Sequence, residues 1–146
     1  MITYQPQVGK DHYRGRAYQF QDRWNSYWHQ LTFVHTSVPK SVLEVGVGEG
    51  VVARELRDRG IAVTTLDIAE DLKPDMIGSI TGMPVPDKSF DVVLAANQAG
   101  DAVVVWHEYS PIPAVAAILR TRSTGWSSRT VIVEGEGMSF SYPQAV

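Results

Sequence analysis

The stretch Ser41-Val-Leu-Glu-Val-Gly46-Val-Gly48-Glu-Gly50 decides the reading of this chain. Its first half is short and largely apolar and reads as a strand; its second half places glycine at every other position. Val51, Val52 and Leu56 then recur among the charged Arg54, Glu55, Arg57, Asp58 and Arg59, which is the spacing of an amphipathic helix that Gly60 ends. Glycines at such a strand-to-helix junction serve a physical need. The backbone turns tightly, a ligand approaches with no Cβ in the way, and free N–H groups at the helix start face an anionic or carbonyl group.

Downstream, Ile61-Ala-Val-Thr-Thr-Leu66 is unbroken and rich in β-branched residues, so it reads as a buried strand. Asp67 ends it, 21 residues after Gly46. An acid there can accept both hydroxyls of a ribose. Asp75 to Ile80 has room for a very short strand, Met83 to Ser89 is a turn-rich connection, and Phe90-Asp-Val-Val-Leu-Ala-Ala96 is a further strand. Strands and a helix in this order imply parallel βαβ units. The expected fold is α/β: a Rossmann-like, doubly wound and mostly parallel sheet with helices on both faces.

Upstream, Phe20, Trp24, Tyr27, Trp28, Leu31 and Val34 recur at steps of three and four and predict one face of a helix, broken at Pro39 and Lys40. Packing on the sheet is the expected use of that aromatic stripe, with a lid over the site as the alternative. Beyond Asn97, Ala102 to Trp106 has strand composition, Ala114 to Arg122 reads as helix, and Arg129 to Glu134 reads as strand. The expectation is one domain over residues 1–146, divided into an arm and aromatic helix (1–39), a cofactor-binding half (40–97) and a divergent part (98–146).

The spacing of the glycines selects among adenosine-type cofactors. A dinucleotide site uses G-x-G-x-x-G, which sets a helix N-terminus flush against a pyrophosphate. Here the third glycine comes one residue early, and Glu44 stands two residues before the first. A carboxylate at that place repels a pyrophosphate and suits an ammonium or sulfonium group. This points to S-adenosylmethionine rather than a nicotinamide cofactor.

Three segments taken together, Ser41 to Gly50, Thr65-Leu-Asp67-Ile, and Gly78-Ser-Ile with Met83 to Val93, resemble the ordered motifs of class I S-adenosylmethionine-dependent methyltransferases. The resemblance covers roughly residues 40–97. It implies that Gly46, Gly48 and Gly50 line the methionine and ribose, with Glu44 near the methionine end. It implies too that Asp67 holds the ribose hydroxyls, that Ile68 packs on the adenine, and that Ser79 and Ile80 lie beside that ring. Ala96, Asn97 and Gln98 would border the exit of the methyl group. The chain departs from the family at Asn97-Gln-Ala-Gly-Asp101, where relatives carry an acidic-His-Leu segment and a helix, and at Ser79, where many carry an acid. Only twelve residues follow Glu134, so the family's last strands are expected to be missing. For the residues read without the family, a plain βα turn remains open for the glycines, a helix cap or a solvated loop acid for Asp67, and a pair with a nearby Arg such as Arg54 for Glu44.

Composition narrows the function classes. The 146 residues carry 13 Lys+Arg against 16 Asp+Glu, a net charge of −3, which argues against a partner held by phosphate charge alone. With no cysteine there is no disulfide, thiolate metal site or cysteine nucleophile. The four histidines, His12, His29, His35 and His107, lack metal-ligand spacing, so no metal is expected. The N-terminus has no apolar signal region, and no run reaches the roughly 18 apolar residues of a membrane span. A soluble, cytoplasmic location is therefore expected. His107-Glu108 could supply a general base, with a surface loop as the plainer reading, and Arg120, Arg122 and Arg129 read as a solvated basic face.

The expected function is methyl transfer from S-adenosylmethionine to an unidentified small-molecule acceptor, with no nucleic acid and no membrane. No catalytic side chain is assigned, because in-line transfer depends on holding two reactants together rather than on a protein nucleophile. The alternatives are a non-catalytic binding or interaction module on the same fold and, after it, a nicotinamide-dependent oxidoreductase domain. An unclosed sheet edge leaves room for pairing in a homo-oligomer.

Overall fold

The computed structural model of the chain describes residues 6, 10–13, 21–83, 85–86, 89–96, 101–108, 114–121 and 123–134. Its centre is β1 (Ser41–Val45), flanked in parallel by β2 (Ala62–Asp67) and β4 (Val92–Ala96), with β3 (Met76–Ile77) parallel on the outside of β2. Val42 and Leu43, on opposite faces of β1, are both fully buried, as a central strand requires. The motif-bearing strands thus form the parallel, Rossmann-like half that the sequence predicts.

Beyond β4 the sheet changes character. β5 (Ala102–Glu108), β6 (Ala114–Thr121), β7 (Gly125–Trp126) and β8 (Thr130–Glu134) follow, giving the order β3-β2-β1-β4-β5-β6-β7, with β8 also on β6. Every pairing from β4 outward is antiparallel. The reason is chain length. Only residues 97–101 join β4 to β5, and a parallel crossover needs roughly a dozen residues or more. Strands therefore do follow the fourth, but as a meander, and what the chain lacks among the described residues is the family's parallel far half.

The segment from Ala114, read from sequence as a helix, is strand β6. Ala114, Val115, Ala116 and Ile118 are all buried between β5 on one edge and β8 on the other, so partners on both sides override the helical preference of alanine.

Two α-helices are described, α1 (Gln21–Thr36) and α2 (Val51–Asp58). They touch each other, α1 also meets β5 and α2 meets β2, so both cover one face. There Val34, Val52 and Leu56 close on Val42, Val92, Leu94, Val104 and Ile118. Among the described residues no α-helix covers the other face, so the expected two-sided cover is met on one side. The aromatic stripe of α1 also divides. Tyr27, Leu31 and Val34 pack on the core, whereas Trp24 and Trp28 are 50% and 63% exposed. The inner face instead takes Ser26 and Gln30, which satisfy each other through Gln30 Nε2 donating to Ser26 Oγ at 2.9 Å. Phe20 lies outside the described residues.

Two clamps hold the parallel strands in register. Asp91 Oδ2 accepts the Lys40 and Ser41 amides at 2.8 and 3.0 Å and the Ser41 hydroxyl at 3.2 Å, tying the starts of β1 and β4. Asp75 Oδ2 accepts the amide and hydroxyl of the buried Thr65, each at 2.7 Å, and pairs with Arg57 on α2. Burial works to raise the Asp75 pKa, but the Thr65 donors and the Arg57 charge outweigh it and hold the carboxyl below its ordinary value.

Candidate functional site

Where β1 ends, the backbone takes three left-handed residues: Gly46 at φ +82, Gly48 at φ +54 and Gly50 at φ +67. Residues with a Cβ are strained there. At Gly46 a Cβ would also stand in van der Waals contact, 3.4 Å from the carbonyl oxygen of Ala96 on β4. The Gly46 amide donates to the Leu66 carbonyl at 2.9 Å, and the Gly50 amide closes the turn on the Val47 carbonyl at 2.8 Å.

Gly50 is also the N-cap of α2 and brings no side chain to the orphan amides of the first turn. Glu44 supplies the missing acceptor from β1 by accepting the Ala53 amide. The side chain is buried, and its Oε2 atom has no hydrogen-bond partner. Burial pushes its pKa up to about 8, reinforced by the Asp67 charge and opposed by the Ala53 amide and the Arg57 charge. At neutral pH the unliganded protein thus holds Glu44 largely protonated, not as the open carboxylate that the motif suggests. Arg57, not Arg54, is the cation that acts on it.

Asp67 joins the ends of two strands. Its Oδ2 accepts the Val47 amide at 2.9 Å and its Oδ1 accepts the Ala69 amide at 2.9 Å. Each carboxylate oxygen can accept two bonds, so an acceptor position on each remains for a hydroxyl. The Asp67 carbonyl takes the Gly78 amide at 2.9 Å, which draws the next loop to the same edge. There Ser79 caps its own 3-10 turn (Ile80–Gly82), its Oγ accepting the Thr81 amide at 3.2 Å. Ile68 and Ile80 are half-buried, and Ala96 is exposed at the end of β4. Glu44, Gly46, Gly48, Gly50, Asp67, Ile68, Ser79, Ile80 and Ala96 therefore gather along the carboxyl ends of β1, β2 and β4, where open α/β sheets form their crevice. Asn97 and Gln98 lie outside the described residues.

His107 and Glu108 do not join them. Because β5 is antiparallel to β4, Ala102 pairs with Ala96 and Trp106 with Val92, which carries His107 and Glu108 to the opposite edge of the sheet. The general base that the sequence offers at this pair is therefore not at the site, and the surface loop that is its plainer reading is the end of strand β5. The structural duties of Asp75 and Asp91 also went unread, although each is an Asp just before a strand, a usual place for a side chain that binds neighbouring amides.

A family described as "Methyltransferase domain" matches residues 43–125, more than half of the chain. The chain belongs to that family. As a class I methyltransferase domain it has S-adenosylmethionine as the implied methyl donor. It is 34% identical over 103 residues to the ribosomal RNA small subunit methyltransferase A of Deinococcus radiodurans, covering 66% of this chain and 34% of that protein. It is also 34% identical over 110 residues to the ubiquinone biosynthesis O-methyltransferase of Chromobacterium violaceum, covering 66% of this chain and 47% of that one. The chain thus spans half or less of the length of these curated relatives.

The residues present fit the donor. The methyltransferase loop keeps Cβ atoms out of the cradle at three alternate left-handed positions, Asp67 keeps hydroxyl-accepting capacity, and the orphaned, buried Glu44 Oε2 belongs to the residue two places before the loop's first glycine. Among the described residues no group of His, Cys, Asp or Glu could hold a metal ion, and no helix is long and apolar enough to cross a membrane.

Proposed function

We propose that the chain, as a single methyltransferase domain over residues 1–146, binds S-adenosylmethionine along the carboxyl ends of β1, β2 and β4. Its reaction is methyl transfer to a small-molecule acceptor. The observation that carries this reading is the Asp67 carboxylate bonded at once to the glycine loop and to its own loop. That arrangement supports a ribose held by Asp67 and a methionine end held against Gly46, Gly48 and Gly50, with Ile68, Ser79 and Ile80 on the adenine side and Ala96 toward the acceptor. Glu44 shapes the floor through the start of α2.

When bound, S-adenosylmethionine supplies a methyl group on a positively charged sulfur, which an acceptor takes by in-line displacement with no nucleophile from the protein. The work left to this chain is orientation and exclusion of water. A small-molecule acceptor is supported by the net charge of −3 and by the likeness to an O-methyltransferase of ubiquinone biosynthesis. The rRNA methyltransferase relative makes a nucleic-acid acceptor the second reading.

Calorimetric titration with S-adenosylhomocysteine, with NAD as comparator, tests the cofactor reading. Binding of the first alone, lost in Asp67→Ala, is the expected result. A folded protein that binds neither overturns it.

A further inference from the structure

The register of the sheet carries the row of the proposed cofactor site further than the motifs do. Leu66, Val45 and Ala95 lie side by side across β2, β1 and β4, so the next step along these strands puts Asp67, Gly46 and Ala96 in one row. That row continues through Ala102 on β5 to Arg120 on β6. The strand alternation that buries Ala116 and Ile118 under the helices brings Arg120 out on that same face, half-buried, where β6 reaches the edge. Between Gly46 and Arg120 the row holds only the methyl side chains of Ala96 and Ala102.

β6 lies two strands from β4, a separation of about 10 Å at the usual strand spacing. Ala102 is buried and Ala96 is exposed, so a long guanidinium side chain spans part of that gap and a small molecule resting on Ala96 spans the rest. We infer that Arg120 is the acceptor-recognition residue of this chain, and that the acceptor is a small organic acid whose carboxylate Arg120 binds. The inference rests on the cofactor reading above and goes beyond it by naming the chemistry of the acceptor. A planar guanidinium takes a carboxylate through two parallel charge-assisted bonds, so it fixes orientation as well as charge. Orientation is what in-line transfer requires. Arg120 and Asp101 each have interactions in the unliganded chain, so the acid exchanges with an existing contact.

Neither the family motifs nor composition leads to Arg120. It reaches the edge because β5 and β6 form an antiparallel hairpin in place of βα units. The same hairpin removes His107 and Glu108 from the site, so the exchange of Arg120 for that pair is one topological event.

The test uses the full chain saturated with S-adenosylhomocysteine and titrated with benzoate, salicylate and glycolate, each beside its primary amide. At least one acid should bind ten times or more tightly than its amide. Arg120→Gln should abolish that ratio while leaving S-adenosylhomocysteine affinity within twofold, and Arg120→Lys should restore part of it. Binding of S-adenosylhomocysteine with no preference for any acid, or with a preference that survives Arg120→Gln, overturns this inference alone. Failure to bind S-adenosylhomocysteine overturns the cofactor reading and this inference with it.

Discussion

Asp67 Oδ2 lies 2.9 Å from the amide nitrogen of Val47, so the acid that ends β2 is bonded to the loop that ends β1. Its second oxygen holds the Ala69 amide at the same distance. One side chain thereby sets the shape of two loops and still presents acceptor positions outward. On the proposed cofactor reading, stability and ligand affinity are coupled at this residue.

Asp67→Ala should therefore act on both. Two backbone amides lose their acceptor, a cost of about 1–3 kcal/mol by the usual penalty for an unsatisfied donor. S-adenosylhomocysteine affinity should fall tenfold or more. Asp67→Asn, which keeps one acceptor oxygen, should fall between. Urea unfolding and calorimetry on the same samples separate the two effects.

Gly46 and Gly60 share φ +82 but not surroundings: a Cβ at Gly46 would meet the Ala96 carbonyl oxygen at 3.4 Å, and one at Gly60 would meet nothing within 4 Å. Each alanine variant should lose about 1–2 kcal/mol from the left-handed backbone. Only Gly46→Ala should also weaken S-adenosylhomocysteine binding. Equal binding in the two variants would place the cofactor elsewhere.

Glu44 gives the stability a definite pH dependence. Its pKa is about 8 in the folded chain against 4.5 as the ordinary value, so between these pH values the unfolded chain has released a proton that the folded chain keeps. Stability from this group is full below about pH 4.5 and is lost as pH rises to about 8. Glu44→Gln should flatten that decline. Thermal melts of both proteins across pH 5 to 9 check the sign, and an unchanged slope would exclude Glu44 as its source.

The two sides of α1 should respond unequally. Trp28 is 63% exposed and Val34 is fully buried. Trp28→Ala should change stability by no more than about 0.5 kcal/mol, as surface substitutions do. Val34→Ala should cost on the order of 2 kcal/mol through lost burial and the cavity left behind. Chemical denaturation of the two variants decides the matter.

The aromatic helix also shows where sequence reading stops. Trp24 and Trp28 fall at helical spacing beside Tyr27, yet spacing states only that residues share a side. Which part of that side meets the sheet is set by how α1 crosses α2 and β5. The same limit applies to Glu44. The motif announces an acid beside the glycine loop, but the acid's neutral form follows from its burial, which outweighs the opposing bond from the Ala53 amide nine residues away.

The parallel half of the fold and the place of the cofactor motifs were determined by the sequence alone. Positive φ at a strand-to-helix turn, unbroken β-branched strands and an acid at a strand end are local demands, and local residue types meet them at Gly46, Gly48, Gly50, Ile61 to Leu66 and Asp67. The second half was decided by the tertiary structure. Alanines in β6 favour a helix when taken alone, and only the edges of β5 and β8 make them a strand. Once five residues join β4 to β5, the strand must return antiparallel, and that single reversal sends His107 and Glu108 to one edge and Arg120 to the other. Pairing direction depends on residues far apart in the chain, and no local pattern records it.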